Sequence, residues 1–85
     1  MDIRRMINQI VYDTVKKYGI TLEMITEEKS IIIDLQVESL DMIELMLAFE
    51  ESFNISIDEK EIGSIVTIGD IYKFVESRCV QAQDQ

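Results

Sequence analysis

Few side chains in this sequence are equipped to do chemistry. It contains no histidine and a single cysteine, Cys79. Ser39 stands at the head of an amphipathic segment, between Glu38 and Asp41. A nucleophilic serine needs a base within reach or a strained elbow that exposes it. Ser39 has no histidine, no Gly-x-Ser-x-Gly context and no nearby lysine, and its two carboxylate neighbours raise the cost of an alkoxide. A hydrolase serine is therefore excluded, no catalytic residue is expected, and the plain structural role for Ser39 is to open a helix. Cys79 has no partner for a disulfide or a thiol metal site, and is expected to be a reduced, partly exposed thiol beside a polar tail. A calcium loop starting at Asp34 fails as well. It lacks the central glycine, and Leu45 takes the twelfth position where a glutamate is required, so no metal site is expected.

Charge narrows the possible partners. The net charge is −9, and from Asp34 to Glu61 nine acids face one base, Lys60. Such a field repels nucleic acid and anionic lipid and steers basic protein surfaces toward itself. Neither nucleic acid nor membrane is an expected partner, and no apolar run reaches the roughly 20 residues of a membrane-spanning helix. The N-terminus turns amphipathic at once, without the apolar stretch of a signal peptide, so a cytoplasmic chain is the expectation, and its size and charge suggest a monomer.

The elements that must position Ser39 follow from periodicity. The chain has 85 residues, 47% of them apolar, with no proline and three glycines, which suits one helical domain with a real core. Residues 1–80 are read as that domain and 81–85 as a polar tail. Ile3, Met6, Ile7, Ile10, Val11, Thr14 and Tyr18 share one helical face, closed by Gly19. Residues 20–37 read as an extended loop in which Ile31, Ile32 and Ile33 plug the core, with Thr21 and Thr26 each able to start a helical turn. From Ser39 to Phe53, Met42, Leu45, Met46, Phe49 and Phe53 form a core stripe. Leu40, Ile43 and Leu47 lie opposite, among Asp41, Glu44, Glu50 and Glu51. A helix in a small bundle cannot bury two opposed faces, so the second is read as a docking face for a partner. Residues 58–63 read as a short helix anchored by Ile62 and Ile65. Thr67-Ile68-Gly69-Asp70 is a capping box opening a last helix that buries Ile68, Ile71, Tyr72 and Val75, flanks Phe74 and frays after Arg78. The fold class is all-α: a small four-helix bundle with three principal helices and one short one.

The run Asp34-Leu35-Gln36-Val37-Glu38-Ser39-Leu40-Asp41-Met42-Ile43-Glu44-Leu45 resembles the attachment motif of acyl carrier proteins, Asp-Leu-Gly-x-Asp-Ser-Leu-Asp followed by an apolar residue and Glu-Leu. The similarity continues through Phe49-Glu50-Glu51-Ser52-Phe53 and Thr67-Ile68-Gly69-Asp70-Ile71, without a gap from the motif onward. The resemblance implies that Ser39 receives 4′-phosphopantetheine from coenzyme A through a separate Mg²⁺-dependent phosphopantetheinyl transferase. The arm's thiol, not Cys79, would then carry acyl groups as thioesters. It further implies that Leu40, Asp41, Ile43, Glu44, Leu47, Glu50 and Glu51 meet acyl-transferring and condensing enzymes with basic docking surfaces. Met42, Leu45, Met46, Phe49, Ile57 and Ile65 would line a pocket for the acyl chain.

Three positions depart from the pattern. Glu38 replaces an aspartate, Gln36 a glycine, and Ile33 a residue that is often acidic. Fatty-acid synthesis and a specialised polyketide or lipid pathway both fit, as does an aminoacyl carrier. The competing reading is an acidic helical interaction module that keeps the fold and lacks the arm.

Overall fold

The computed structural model describes residues 2–83, with side chains through residue 79. Four α-helices follow in order: α1 Ile3–Val15, α2 Ser39–Phe53, α3 Glu59–Ile62 and α4 Ile68–Gln83. Single 3₁₀ turns at Lys16–Tyr18 and Leu22–Met24 interrupt the long loop after α1. The all-α expectation holds, with α3 as the short helix. α1 packs against both α2 and α4.

Each boundary has a local cause. Asp2 caps α1, its carboxylate accepting from the Arg5 amide at 3.3 Å. Gly19 closes the extension of that helix at φ +82°, a left-handed conformation in which a side chain would be strained. Asn54 ends α2 in the same region, at φ +53°. Asp58 caps α3 through the Lys60 amide at 3.0 Å. The Thr67–Asp70 box is formed both ways: the Asp70 amide donates to Thr67 Oγ1 at 3.2 Å, and the Thr67 amide donates to Asp70 Oδ2 at 3.0 Å.

The core is drawn from all the principal elements. α1 contributes Ile7, Val11 and Val15; α2 contributes Leu45, Met46 and Phe49; α4 contributes Ile68, Ile71, Tyr72, Val75 and Cys79. The loop between α1 and α2 adds Ile20, Ile25, Ile31, Leu35 and Val37. A loop this long stays ordered only when side chains pin it, and these five do so.

Several expectations are corrected. Of the three consecutive isoleucines only Ile31 is buried; Ile32 and Ile33 are 64% and 81% exposed. Their segment also pairs with the start of α4. Ser30 bridges Thr67 in antiparallel fashion, the Ile31 amide donates to the Val66 carbonyl at 2.9 Å, and the Ile68 amide donates to Lys29 at 3.1 Å. Those bonds fix which isoleucine turns inward. α4 does not fray after Arg78 but continues to Gln83, so residues 81–83 of the expected tail are helical; residues 84 and 85 lie outside the described residues. Because the helix continues, Cys79 falls four residues beyond Val75 on the buried stripe and is only 8% exposed. Burial pushes its thiol pKa up, which disfavours the reactive thiolate.

Candidate functional site

Ser39 is the first residue of α2, and Glu38 occupies the cap position in extended backbone. The serine side chain is exposed, and among the described residues none engages its hydroxyl in a hydrogen bond. A serine at the preceding position would turn its oxygen back onto the helix amides. One residue further on it is left free.

The approach to Ser39 is a rigid turn. The Asp34 and Leu35 amides both donate to the Ser30 carbonyl, at 3.0 and 3.1 Å, and the Val37 amide donates to Ile31 at 3.1 Å. Gln36 reverses the chain at φ +62°. That conformation costs a non-glycine residue roughly 1–2 kcal/mol, so the glutamine adopts the left-handed turn that glycine would take freely. Leu35 and Val37 on either side are buried and hold it there.

Asp41, expected on the docking face, is turned inward. It is 4% exposed, and its carboxylate accepts from Lys17 Nζ at 2.8 Å, from Tyr18 Oη at 2.6 Å and from the Glu38 amide at 3.1 Å. These contacts, with Lys17 the largest influence, hold its pKa down to about 2 from the ordinary 3.8. The same pairing raises the pKa of Lys17 and of Tyr18. The end of the α1 extension is thereby tied to the first turn of α2, directly below Ser39. Nothing in the sequence signals this pairing, which joins residues 23 and 24 positions apart.

A pH dependence follows. A depressed carboxylate pKa contributes stability that is fully present above the unfolded-state value and lost as pH falls through the folded-state value. The advantage of the wild type over Asp41→Asn in urea midpoint is therefore expected to shrink between about pH 4 and pH 2. Equal denaturation midpoints at pH 6 would show that the pairing carries no stability.

The remaining docking candidates divide. Leu40, Ile43 and Leu47 are 74%, 54% and 56% exposed, and Glu44 and Glu51 are exposed beside them. Glu50 is half-buried and accepts from the Ile57 amide at 2.8 Å, fastening the loop after α2. The face turned outward is narrower than the sequence suggested and lacks Asp41.

Ser39 opens on a cleft of about 980 Å³ between the start of α2, the loop before it and the α3–α4 connection. Val37, Leu40, Met42, Ile43, Ile62, Ile65 and Val66 supply most of its walls, with Gln36, Glu38 and Ser39 at the mouth. Of the expected pocket residues, Met42 and Ile65 line it. Leu45, Met46 and Phe49 lie instead in the solid core, and Ile57 packs half-buried against that core. The cleft lies beside the core stripe, because close packing with α1 and α4 leaves no space within it.

An exposed, unengaged hydroxyl on the first turn of a 15-residue helix, next to an apolar cleft, suits a tethered phosphodiester arm. The positive end of the helix favours a phosphate there. Comparison with known proteins agrees. The family described as "Phosphopantetheine attachment site" matches residues 11–75. The acyl carrier proteins of Sinorhizobium fredii (strain NBRC 101917 / NGR234) and Rhizobium meliloti (strain 1021) are each 41% identical over 75 residues, covering 88% of this chain and 92% of their own. The crystal structure of an acyl carrier protein from Thermotoga maritima superposes with a TM-score of 0.74 at 28% identity, covering 92% of this chain and 91% of that one. A Mycobacterium tuberculosis chain provisionally described as an acyl carrier protein gives a TM-score of 0.80 at 26% identity, covering 89% and 97%. The chain belongs to the acyl carrier protein family, whose members hold a covalent 4′-phosphopantetheine and act as carriers rather than catalysts.

Proposed function

We propose that Ser39 is the attachment point and that the protein carries acyl groups in fatty-acid or a specialised polyketide or lipid synthesis, as a cytoplasmic monomer. The observation that carries this reading is the free Ser39 hydroxyl at the mouth of a cleft with predominantly apolar walls. Attachment joins Ser39 Oγ to the phosphorus of the phosphopantetheine portion of coenzyme A. The pyrophosphate bond breaks and adenosine 3′,5′-bisphosphate leaves. The hydroxyl proton passes to a base that the transferase must bring, since the chain has no histidine and Lys17, at the first turn of α2, is held protonated by Asp41. When bound, the group supplies a thiol on a long tether that can hold an acyl group as a thioester.

The protein's own residues do the rest. Asp41, held by Lys17 and Tyr18, fixes the turn that presents Ser39. Val37, Ile43, Ile62, Ile65 and Val66 offer a chain shelter from water, with Met42 supplying a soft, adaptable wall. Apolar lining favours an acyl over an aminoacyl cargo, whose ammonium would lose solvation without a counter-charge inside. Leu40, Ile43 and Leu47, flanked by Glu44 and Glu51, suit basic docking surfaces on the transferase and on acyl-transferring and condensing enzymes. Such contacts give fast, salt-sensitive and readily reversed encounters.

The carrier role is tested by loading the modified protein with a labelled acyl group. Label released by neutral hydroxylamine and retained in full by the Cys79→Ser form supports a thioester on the arm; label lost with Cys79 overturns it. For the docking face, Glu44→Lys is expected to raise the transferase KM several-fold at low salt, with the difference shrinking at high salt. An unchanged KM at low salt would make Glu44 merely a solvated surface charge.

A further inference from the structure

The cleft at Ser39 has two rims, and only one belongs to α2. On the other stand Ile32 and Val66, 64% and 57% exposed, and Ile33, 81% exposed, lies next to Ile32 just outside the lining. Ile32 and Val66 line the cleft opposite Leu40 and Ile43, with Ser39 at the mouth between them. Ile33 follows directly.

This exposure is built into the fold. Ile31 is fully buried and anchors the segment, its amide donating to Val66 O at 2.9 Å. Asp34 Oδ2 accepts from the Ser30 amide at 2.7 Å, and Ser30 Oγ accepts from the Ile33 amide at 3.1 Å. The backbone is thus held in a way that turns two consecutive isoleucines outward beside a third exposed β-branched residue. Clustered exposed apolar side chains at the mouth of a cleft mark a contact surface more often than isolated ones do. The surroundings define its partner. Glu38 lines the cleft, Asp34 is exposed in the loop that forms it, and no basic residue is among the lining residues.

Resting on the assignment of Ser39 as the attachment point, we propose that Ile32, Ile33 and Val66 form a second docking ridge for the phosphopantetheinyl transferase. An enzyme that uses the finished arm can work at the end of a tether. The transferase must instead bring coenzyme A to Ser39 Oγ itself, so its surface meets both rims of the cleft at once. The partner surface that fits is an apolar strip lying along Ile32, Ile33 and Val66, bordered by lysine or arginine side chains facing Asp34 and Glu38.

The test measures modification of the apo-protein by intact mass, with coenzyme A, Mg²⁺ and a broad-specificity phosphopantetheinyl transferase. Wild type, Ile33→Ser, the double variant Ile33→Ser/Val66→Ser and the control Leu22→Ser are compared. Leu22 is 42% exposed and stands in the Leu22–Met24 turn, adjoining neither Ile32 nor Val66 in the chain. The double variant is expected to raise KM roughly 5- to 10-fold with kcat within about 2-fold, Ile33→Ser to raise it by a smaller factor, and Leu22→Ser to leave it unchanged. An unchanged KM in both ridge variants overturns the proposal. So does a wild-type dimer in sedimentation that Ile33→Ser dissociates, because a second copy would then be the occupant. If the double variant loses its helical spectrum, Ile33→Ser alone decides. Failure of the wild type to accept any group contradicts the assignment of Ser39 instead, and intact mass separates the two failures.

Discussion

Replacing Ser39 with alanine is expected to take phosphopantetheine uptake from one group per chain to none, while leaving the helical spectrum and melting temperature unchanged. On the proposed assignment the loss is complete, because the Ser39 hydroxyl is the acceptor atom. Among the described residues, none of Ser52, Ser56, Ser64 and Ser77 lines the cleft. Ser52 lies near the far end of α2, and Ser64 is engaged, its Oγ donating to the Glu61 carbonyl at 2.9 Å. The fold survives because the exposed Ser39 side chain takes part in none of the bonds that position it. The first turn of α2 is held by Asp41 and its three donors, none of which involves the serine hydroxyl. Alanine also has the higher helix propensity. Full modification of the alanine form would mean the arm is attached elsewhere. A large fall in melting temperature would show that the serine has a structural role.

The second large effect is on stability. Phe49→Ala is expected to destabilise the fold by about 3–5 kcal/mol, a large share of the 5–15 kcal/mol typical of a folded domain. Phe49 is 1% exposed and sits in the core contributed by α1, α2, α4 and the long loop. Its ring lies 6.5 Å from that of Phe53, tilted by 38°, so truncation removes an aromatic contact as well as opening a cavity. In a chain of this size the loss corresponds to a fall in melting temperature on the order of 20 °C. Leu47→Ala, two residues earlier on the same helix, removes a side chain that is 56% exposed and is expected to shift stability by less than about 0.5 kcal/mol. Thermal melts followed by circular dichroism compare the two. Equal effects would mean that α2 packs through a different face.

What was legible in the sequence is what local periodicity controls. The stripe Leu45, Met46, Phe49 and the opposed Leu40, Ile43, Leu47 follow from a 3.6-residue repeat, and they emerge as buried and exposed in the structure. The capping box at Thr67 and the turn at Gly19 are equally local. Most of the failures share a cause, which is contact between distant segments. Ile31, Ile32 and Ile33 are chemically identical, yet a bond from Ile31 to Val66 assigns one to the core and two to solvent. Asp41 looks like any acid on a docking helix until Lys17 and Tyr18 reach it from the end of α1. The cleft could not be placed from a helical wheel, because its walls come from three segments and its position is where packing stops. Cys79 and Val15 were different: both lie on the helical repeats of their stripes, four residues beyond Val75 and Val11, and were legible in principle.

The departures at Gln36 and Glu38 can also be read in physical terms. Gln36 reaches the left-handed turn despite its side chain, so the path into α2 is retained at an energetic cost. Glu38 leaves its carboxylate exposed at the cleft mouth while its amide is bound by Asp41. Neither change disturbs the exposure of Ser39.

The most direct measurement is fragmentation mass spectrometry of the wild-type protein after incubation with coenzyme A, Mg²⁺ and a phosphopantetheinyl transferase. The account predicts one phosphopantetheine per chain, on the peptide containing Ser39 and on that residue alone. An unmodified chain, or a group on any other residue, would contradict it.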